Sequence, residues 1–250
     1  MTSNEDEYES LDPLADIPPL TTTTLTSEDD KVAALKLVAD SIAQQRQVAS
    51  RAVIFHPITI AIYTGIVALT AQFVYKTRSD FGILLTTLAG VTMTCLIAIR
   101  GLTSGYLNLA EDFKWAWIQN EDGEEDTIIG SRYGEELIGA CILRLERYGN
   151  GGGKKKAKSG KSGGKGVIRA WTVRIKYRRG GVGTELLEEA VKVTRDKLGN
   201  SAEIGFAAEH ANSKMILPSI FNGQFRKKEK KAAKALEAVL ESMDGSKKKR

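Results

Sequence analysis

The stretch Val167–Gly199, VIRAWTVRIKYRRGGVGTELLEEAVKVTRDKLG, reads as strand, glycine turn and helix. Apolar and β-branched residues dominate Val167 to Tyr177, a regular helical pattern runs from Thr184 to about Leu198, and Arg178 to Gly183 joins them. Gly180, Gly181 and Gly183 permit backbone conformations and close ligand approach that a Cβ would hinder. A helix opening directly after such a turn presents unpaired N–H groups and the positive end of its dipole, which suits a phosphate. The spacing is not that of a dinucleotide fingerprint, because Gly181-Val-Gly183 is followed by Thr-Glu-Leu, and no Lys-Ser or Lys-Thr closes the turn as in a P-loop.

Upstream, Thr127–Arg132 and Glu136–Glu146 read as two strands joined through Tyr133-Gly-Glu135, after a helical stretch from Leu102 to Gln119. Residues 149–166, GNGGGKKKAKSGKSGGKG, hold eight Gly and six Lys and read as a flexible hairpin extension. A strand over Ala202–Ala208 and a basic helix over about Lys227–Met243 follow.

The segment Arg178-Arg-Gly-Gly-Val-Gly183 resembles the signature of the GNAT superfamily of acyl-CoA N-acyltransferases, Arg or Gln, two residues, Gly, one residue, Gly or Ala. Tyr177 before it and Leu186, Leu187 and Ala190 after it fit the same pattern, and the resemblance spans about Leu102 to Phe225. It implies an α+β fold, a GNAT-like mixed sheet flanked by helices, splayed beside the signature strand to admit acetyl-CoA as co-substrate. It further implies that amides at Arg179, Gly181, Gly183 and Thr184, within the turn Arg178, Arg179, Gly180, Gly181, Val182, Gly183, hold the pyrophosphate. The strand at Thr172, Val173, Arg174 and Ile175 would pair with the pantetheine arm, and Asn212 fits a common family asparagine. The tyrosine expected in the helix after the last core strand is missing, since Pro218, Ser219 and Ile220 stand there. Glu209, His210 and Tyr133 are therefore the candidate proton-transfer groups.

Two further runs concern the bilayer. Pro57–Tyr75 and Phe81–Ile99 are uncharged, each near the length of about 20 residues that crosses a hydrocarbon core, and only Lys76–Asp80 separates them. They predict a transmembrane hairpin over 57–100 preceding the domain at 101–243. Lys31, Lys36, Arg46, Arg51 and Arg100 flank it, against Lys76 and Arg78 in the link, so both ends are expected in the cytosol. The apolar spacing from residue 29 to 56 predicts an amphipathic helix, capped by Asp29 or Asp30 and lying along the membrane.

Residues 1–28 are Thr- and Pro-rich, and nine acidic side chains with no Lys or Arg fall in the first thirty residues, which predicts a disordered acidic tail without a signal peptide. The rest of the chain is correspondingly basic, about +14 against +5 overall. A basic tail at 244–250 ends in Lys247-Lys-Lys-Arg250, similar to a dilysine retrieval signal of the endoplasmic reticulum. Neither Cys95 nor Cys141 has metal-site or disulfide spacing, so no metal is expected.

These features lead to the expectation of a membrane-anchored N-acetyltransferase of the endoplasmic reticulum, acting on a protein or small-molecule amine, with acetyl-CoA and the lipid bilayer as partners and no nucleic acid. The alternative is a non-catalytic membrane factor whose degenerate acetyltransferase-like domain assists assembly or export of a membrane-protein partner.

Overall fold

A computed structural model of the protein describes residues 18–120, 123–147 and 164–248. The predicted tail up to residue 17, the Lys/Gly insertion up to 163 and the last two residues lie outside the described residues. Five strands form one mixed sheet in sequence order: β1 (Leu20–Thr24), β2 (Thr127–Tyr133), β3 (Glu136–Arg147), β4 (Gly164–Val173) and β5 (Glu203–Phe206). The first four pair antiparallel, and β4 and β5 pair parallel.

Helices cover both faces, which is why β3 is buried from Leu137 to Leu143. On one face α5 (Val182–Leu198) and α6 (Gly223–Lys248) set Leu186, Leu187, Ala190 and Leu236 against Ile129, Ile138, Leu143 and Ile168. On the other, α1 (Glu28–Ile54) lays Ala34, Leu35, Val38 and Ile42 over Ile128, Ala140, Ile142 and Ala170, with Ile118 beside them.

Three expectations change here. Residues 20–24 are not tail: β1 is an edge strand paired along β2, and Leu25 is 5% exposed in the core. Helix α1 does not lie along the membrane, because its apolar stripe covers the sheet; its N-cap is Ser27, which leaves Glu28, Asp29 and Asp30 in the first turn, where the helix dipole favours them. The domain does not begin at 101 either. The apolar pair α2 (Pro57–Val74) and α3 (Phe81–Leu102) is inserted between α1 and α4 (Gly105–Glu111), two helices of the same layer.

Both apolar helices are long and apolar enough to cross a membrane, with mean hydropathy 1.6 for Pro57–Val74 and 2.1 for Arg78–Glu111, and neither window has a residue buried inside the protein. Tyr63 Oη and Thr92 Oγ1 join them at 2.8 Å. At their base, Ser50 Oγ and Thr103 Oγ1 lie 3.1 Å apart, and Ala49, Val53, Tyr106, Leu217 and Phe225 close a small core.

The helix predicted over Leu102–Gln119 is shorter, α4 followed by a 3-10 turn at Trp115–Ile118, and α6 is longer than predicted, taking in residues 244–248 of the supposed tail. Gly164 and Gly166, predicted as flexible insertion, belong to β4. Their hydrogens let α5 approach: a Cβ on Gly166 would sit 2.5 Å from Thr194 Oγ1, and one on Gly164 2.9 Å from Leu198 Cδ1.

Because Leu25 is a core residue, Leu25→Ala is expected to lower the unfolding free energy by about 2–4 kcal/mol, measured by chemical denaturation of the detergent-held chain. Unchanged stability would return the segment to a tail.

Candidate functional site

A bulge in β4 makes the opening. Ala170 pairs with Ile142 and Ile168 with Leu143, so Arg169 is the extra residue, and β4 turns away from β5 at that point. Pairing with β5 runs only from Lys165 to Ile168. Beyond it, the Ala207 amide donates to the Ile168 carbonyl at 2.9 Å and the Ala211 amide to the Arg169 carbonyl at 2.8 Å, and the chain then leaves the strand. Among the described residues, the edge of β4 from Trp171 to Val173 has no strand neighbour on that side.

Strand alternation decides which of the predicted residues face this opening. The Arg174 amide donates to Ile138 of β3 at 2.8 Å, so Thr172 and Arg174 direct their backbone groups to β3, whereas Trp171 and Val173 direct theirs outward. The Val173 carbonyl accepts from Arg178 Nε at 2.7 Å. Ile175 is not in the strand but in a 3-10 turn, Ile175–Tyr177, and is 61% exposed.

The turn itself is tight. Gly181 has φ +88° and Arg179 φ +73°, both left-handed, and Gly181 caps α5, which starts at Val182. The Thr184 amide, predicted to hold phosphate, instead donates to the Gly181 carbonyl at 2.8 Å. The amides of Val182 and Gly183 are the first of the helix and have no acceptor within it. Gly183 is required for packing: a Cβ there would meet Trp171 Cζ2 at 2.9 Å, and the Trp171 indole N–H donates to its carbonyl at 3.0 Å. The indole thus ties the turn to the open edge of β4.

Arg178 of the turn and Lys228 of α6 bear on each other by charge. Burial of its charged end pushes the Arg178 guanidinium below its ordinary range. Lys228, from the second turn of α6 and with its Nζ 6.0 Å from the Phe225 ring centre, is lowered by desolvation first and by the charge of Arg178 second, although the residue as a whole is exposed. Like charges gathered where hydration is reduced favour an anion between them.

His210 stands past the end of β5, its ring 5.8 Å from that of Phe206, which is itself 6.0 Å from Trp171. Burial lowers the His210 pKa, opposed by the negative charge of Glu229. The ring is neutral near physiological pH, and because Nδ1 accepts the Asn212 amide at 3.3 Å, its proton sits on Nε2.

The other predicted site residues are elsewhere. Glu209 is exposed in a turn. Asn212 faces α1, its side-chain oxygen accepting from Gln45 Nε2 at 2.6 Å, which fastens the loop after β5 to the opposite helical layer. Tyr133 lies on β2, two strands from β4 and so about 10 Å away, with its ring 5.9 Å from Tyr177. The Tyr177 hydroxyl donates to Glu136 Oε2 at 2.8 Å, and that bond holds its pKa above the ordinary phenol range.

Trp171, Phe206 and Lys228 are the site residues that sequence reasoning missed. Trp171 is within the signature strand and could have been found from its alternation, but Lys228, 45 or more residues beyond the turn, could not. The bulge is fixed in place by charge as well. Arg169 and Arg144 both bond Asp126, whose side chain is 2% exposed, and the Arg169 guanidinium lies 3.9 Å from the Trp117 ring centre. Among the described residues no group of three or more His, Cys, Asp or Glu could hold a metal ion.

Gly181→Ala is expected to cost about 1–2 kcal/mol of stability through its left-handed φ, although there is open space for the methyl group. Gly180→Ala, whose backbone is not left-handed, should be near neutral, and equal effects would refute the assignment. For His210, the depressed native pKa means that the unfolded chain binds the proton more tightly. Stability is therefore expected to be level above about pH 6.5 and to fall as pH drops from there toward the native pKa. His210→Gln should flatten that part of a denaturation-versus-pH series.

A model of the acetyltransferase (GNAT) family matches residues 98–216, a little under half of the chain. The match takes in the end of α3, α4, the strands β2 to β5, the signature turn and α5. The crystal structure of a transcriptional regulator from Bacillus halodurans C-125 aligns over 78% of this chain and 87% of its own, at 10% identity and a TM-score of 0.30, too distant to carry an argument. No curated protein sequence matches. In its splayed sheet and in the glycine turn that opens its helix, the matched region is similar to the acetyltransferase (GNAT) family.

Proposed function

We propose that the protein is a membrane-anchored N-acetyltransferase that transfers acetyl from acetyl-CoA to an amine, with α2 and α3 crossing the bilayer and the domain on the cytosolic side of the endoplasmic reticulum. The observation that carries the reading is the free edge of β4, leading from Trp171 to the first amides of α5.

The residues present fit the nucleotide. Amides of Val182 and Gly183 at the helix start, with Arg178 and Lys228 beside them, seat its pyrophosphate. The outward backbone groups of Trp171 and the Val173 amide offer hydrogen bonds to the amides of its arm, and Trp171 and Phe206 supply apolar walls. Acetyl-CoA brings the activated acetyl group as a thioester. His210, neutral and carrying its proton on Nε2, is suited to donate a hydrogen bond to the departing thiolate, which takes, through water, the proton removed from the amine. Tyr133 is too far along the sheet for that task, and Glu209 is left as a solvent-side base for the amine.

The Pro218, Ser219 and Ile220 turn supports the second reading, a non-catalytic membrane factor, because it stands where the resemblance implies a tyrosine. Calorimetry of the full chain in nanodiscs separates the two. Acetyl-CoA is expected to bind, and Lys228→Ala to weaken binding about tenfold. His210→Gln is expected to leave affinity within about twofold and to lower acetyl transfer at least about a hundredfold. Absence of binding by the unaltered chain at millimolar ligand refutes the enzyme and leaves the second reading.

A further inference from the structure

Helix α6 begins with an arrangement that its own fold does not favour. Arg226, Lys227, Lys228, Lys230, Lys231 and Lys234 crowd its first turns with Glu229 the one acid among them, and all six are exposed. Cations at a helix N-terminus oppose the dipole, and neighbours three and four apart repel. Among the described residues, none of the six takes part in an ion pair. Lys228 Nζ lies 6.0 Å from the Phe225 ring centre and feels the charge of Arg178; the other five have no such assignment.

Their position supplies one. Only Phe55 and His56 separate α1 from α2, and only Thr103 and Ser104 separate α3 from α4, at most about 7 Å of chain in each case. The bases of α1 and α4 therefore sit where the hairpin emerges. The start of α6 is bound to that base: the Phe221 ring meets His56 edge-on at 4.9 Å, and Phe225 stacks on Tyr106 at 5.8 Å. Arg226 to Lys234 then extends about 12 Å from there. Around the same base, Phe55 is 72% exposed, Ile220 54%, Leu102 46% and Ile216 39%. Apolar side chains beside clustered cations, continuous with a pair of apolar helices, match the chemistry of an interfacial anchor.

We propose that the Ile216–Ile220 loop and the basic first turns of α6 form a second membrane contact, seated on a bilayer surface rich in anionic headgroups. Ile216 and Ile220 enter the interface beside the hairpin while Arg226, Lys227, Lys230 and Lys231 meet lipid phosphate and carboxylate. The proposal rests on the membrane anchoring proposed above.

The test uses the full chain in nanodiscs of phosphatidylcholine, with or without phosphatidylserine, and brominated lipids as quenchers. An environment-sensitive fluorophore is placed at Ile220→Cys in a Cys95→Ala background. Cys141 needs no replacement, being fully buried with its thiol pushed up to about 12 by burial. A second sample carries the fluorophore on Cys95, within α3.

The probe at 220 is expected to be quenched, more strongly with phosphatidylserine. Lys227→Glu and Lys231→Glu should each shift the ratio of seated to unseated states about fivefold in anionic discs, and little in neutral ones. Melting temperature should stay unchanged, since both lysines are exposed. Quenching at Cys95 without quenching at 220 overturns this proposal and leaves the anchoring intact. Quenching at neither site overturns both. Quenching at 220 indifferent to lipid charge and to both lysines, or a lysine-dependent response to an RNA oligonucleotide in its place, overturns the anionic surface.

Discussion

Strand β4 can pair with β5 for only four residues, and the site follows from that constraint. The bulge at Arg169 rotates the second half of the strand away from its parallel neighbour. A bulge leaves backbone groups unpaired, which is costly inside a protein unless they find partners. Here the Arg169 carbonyl takes the Ala211 amide and the Val173 carbonyl takes the Arg178 side chain, while Trp171 sits between them on the free edge. The same Arg169 is held by Asp126 and the face of Trp117, so the distortion is maintained by a nearly buried carboxylate rather than by the strand itself. Losing Asp126 would leave Arg144 and Arg169 without their carboxylate, Arg169 keeping the Trp117 carbonyl, a costly state in a half-buried site.

From the bulge the two helical layers acquire different tasks. The α5 and α6 layer carries the glycine turn, the paired cations and the aromatic row of Trp171, Phe206 and His210. The α1 and α4 layer carries the apolar hairpin, and through Gln45 it holds Asn212 and with it the loop that bears His210. A displacement at the hairpin base can therefore reach the opening by two rigid routes, along α1 to Asn212 and through Phe221 and Phe225 to α6.

How much of this was legible in the sequence depends on the distance over which each signal acts. The strand, turn and helix from Val167 to Gly199 could be read because period, glycine and helix start are local. The two apolar helices were legible for the same reason, through length and polarity. What failed depended on tertiary context. Five residues dominated by Thr, at 20–24, carry no strand signal until β2 offers an edge, and an amphipathic helix such as α1 has one stripe whether it meets a sheet or a bilayer. The insertion of the hairpin within the domain was invisible once β1 had been given to the tail, since that strand and α1 supply the part of the fold that precedes it. Lys228 and Asn212 owe their roles to partners far away in sequence, Arg178 and Gln45.

The insertion also bears on the acceptor. A hairpin appended before a domain needs only a linker and leaves the domain free to turn. One inserted between two packed helices of the domain's own layer has both ends fixed, here by Ser50 against Thr103 and by the apolar cluster around Tyr106. With about two residues at each junction, rotation of the sheet relative to the α2–α3 axis is restricted. If that axis spans a bilayer, the open edge of β4 keeps a constant height and facing above it. Such an arrangement suits an amine presented at or near the membrane surface better than one arriving freely from solution, because orientation is set before the encounter and its entropy need not be lost again.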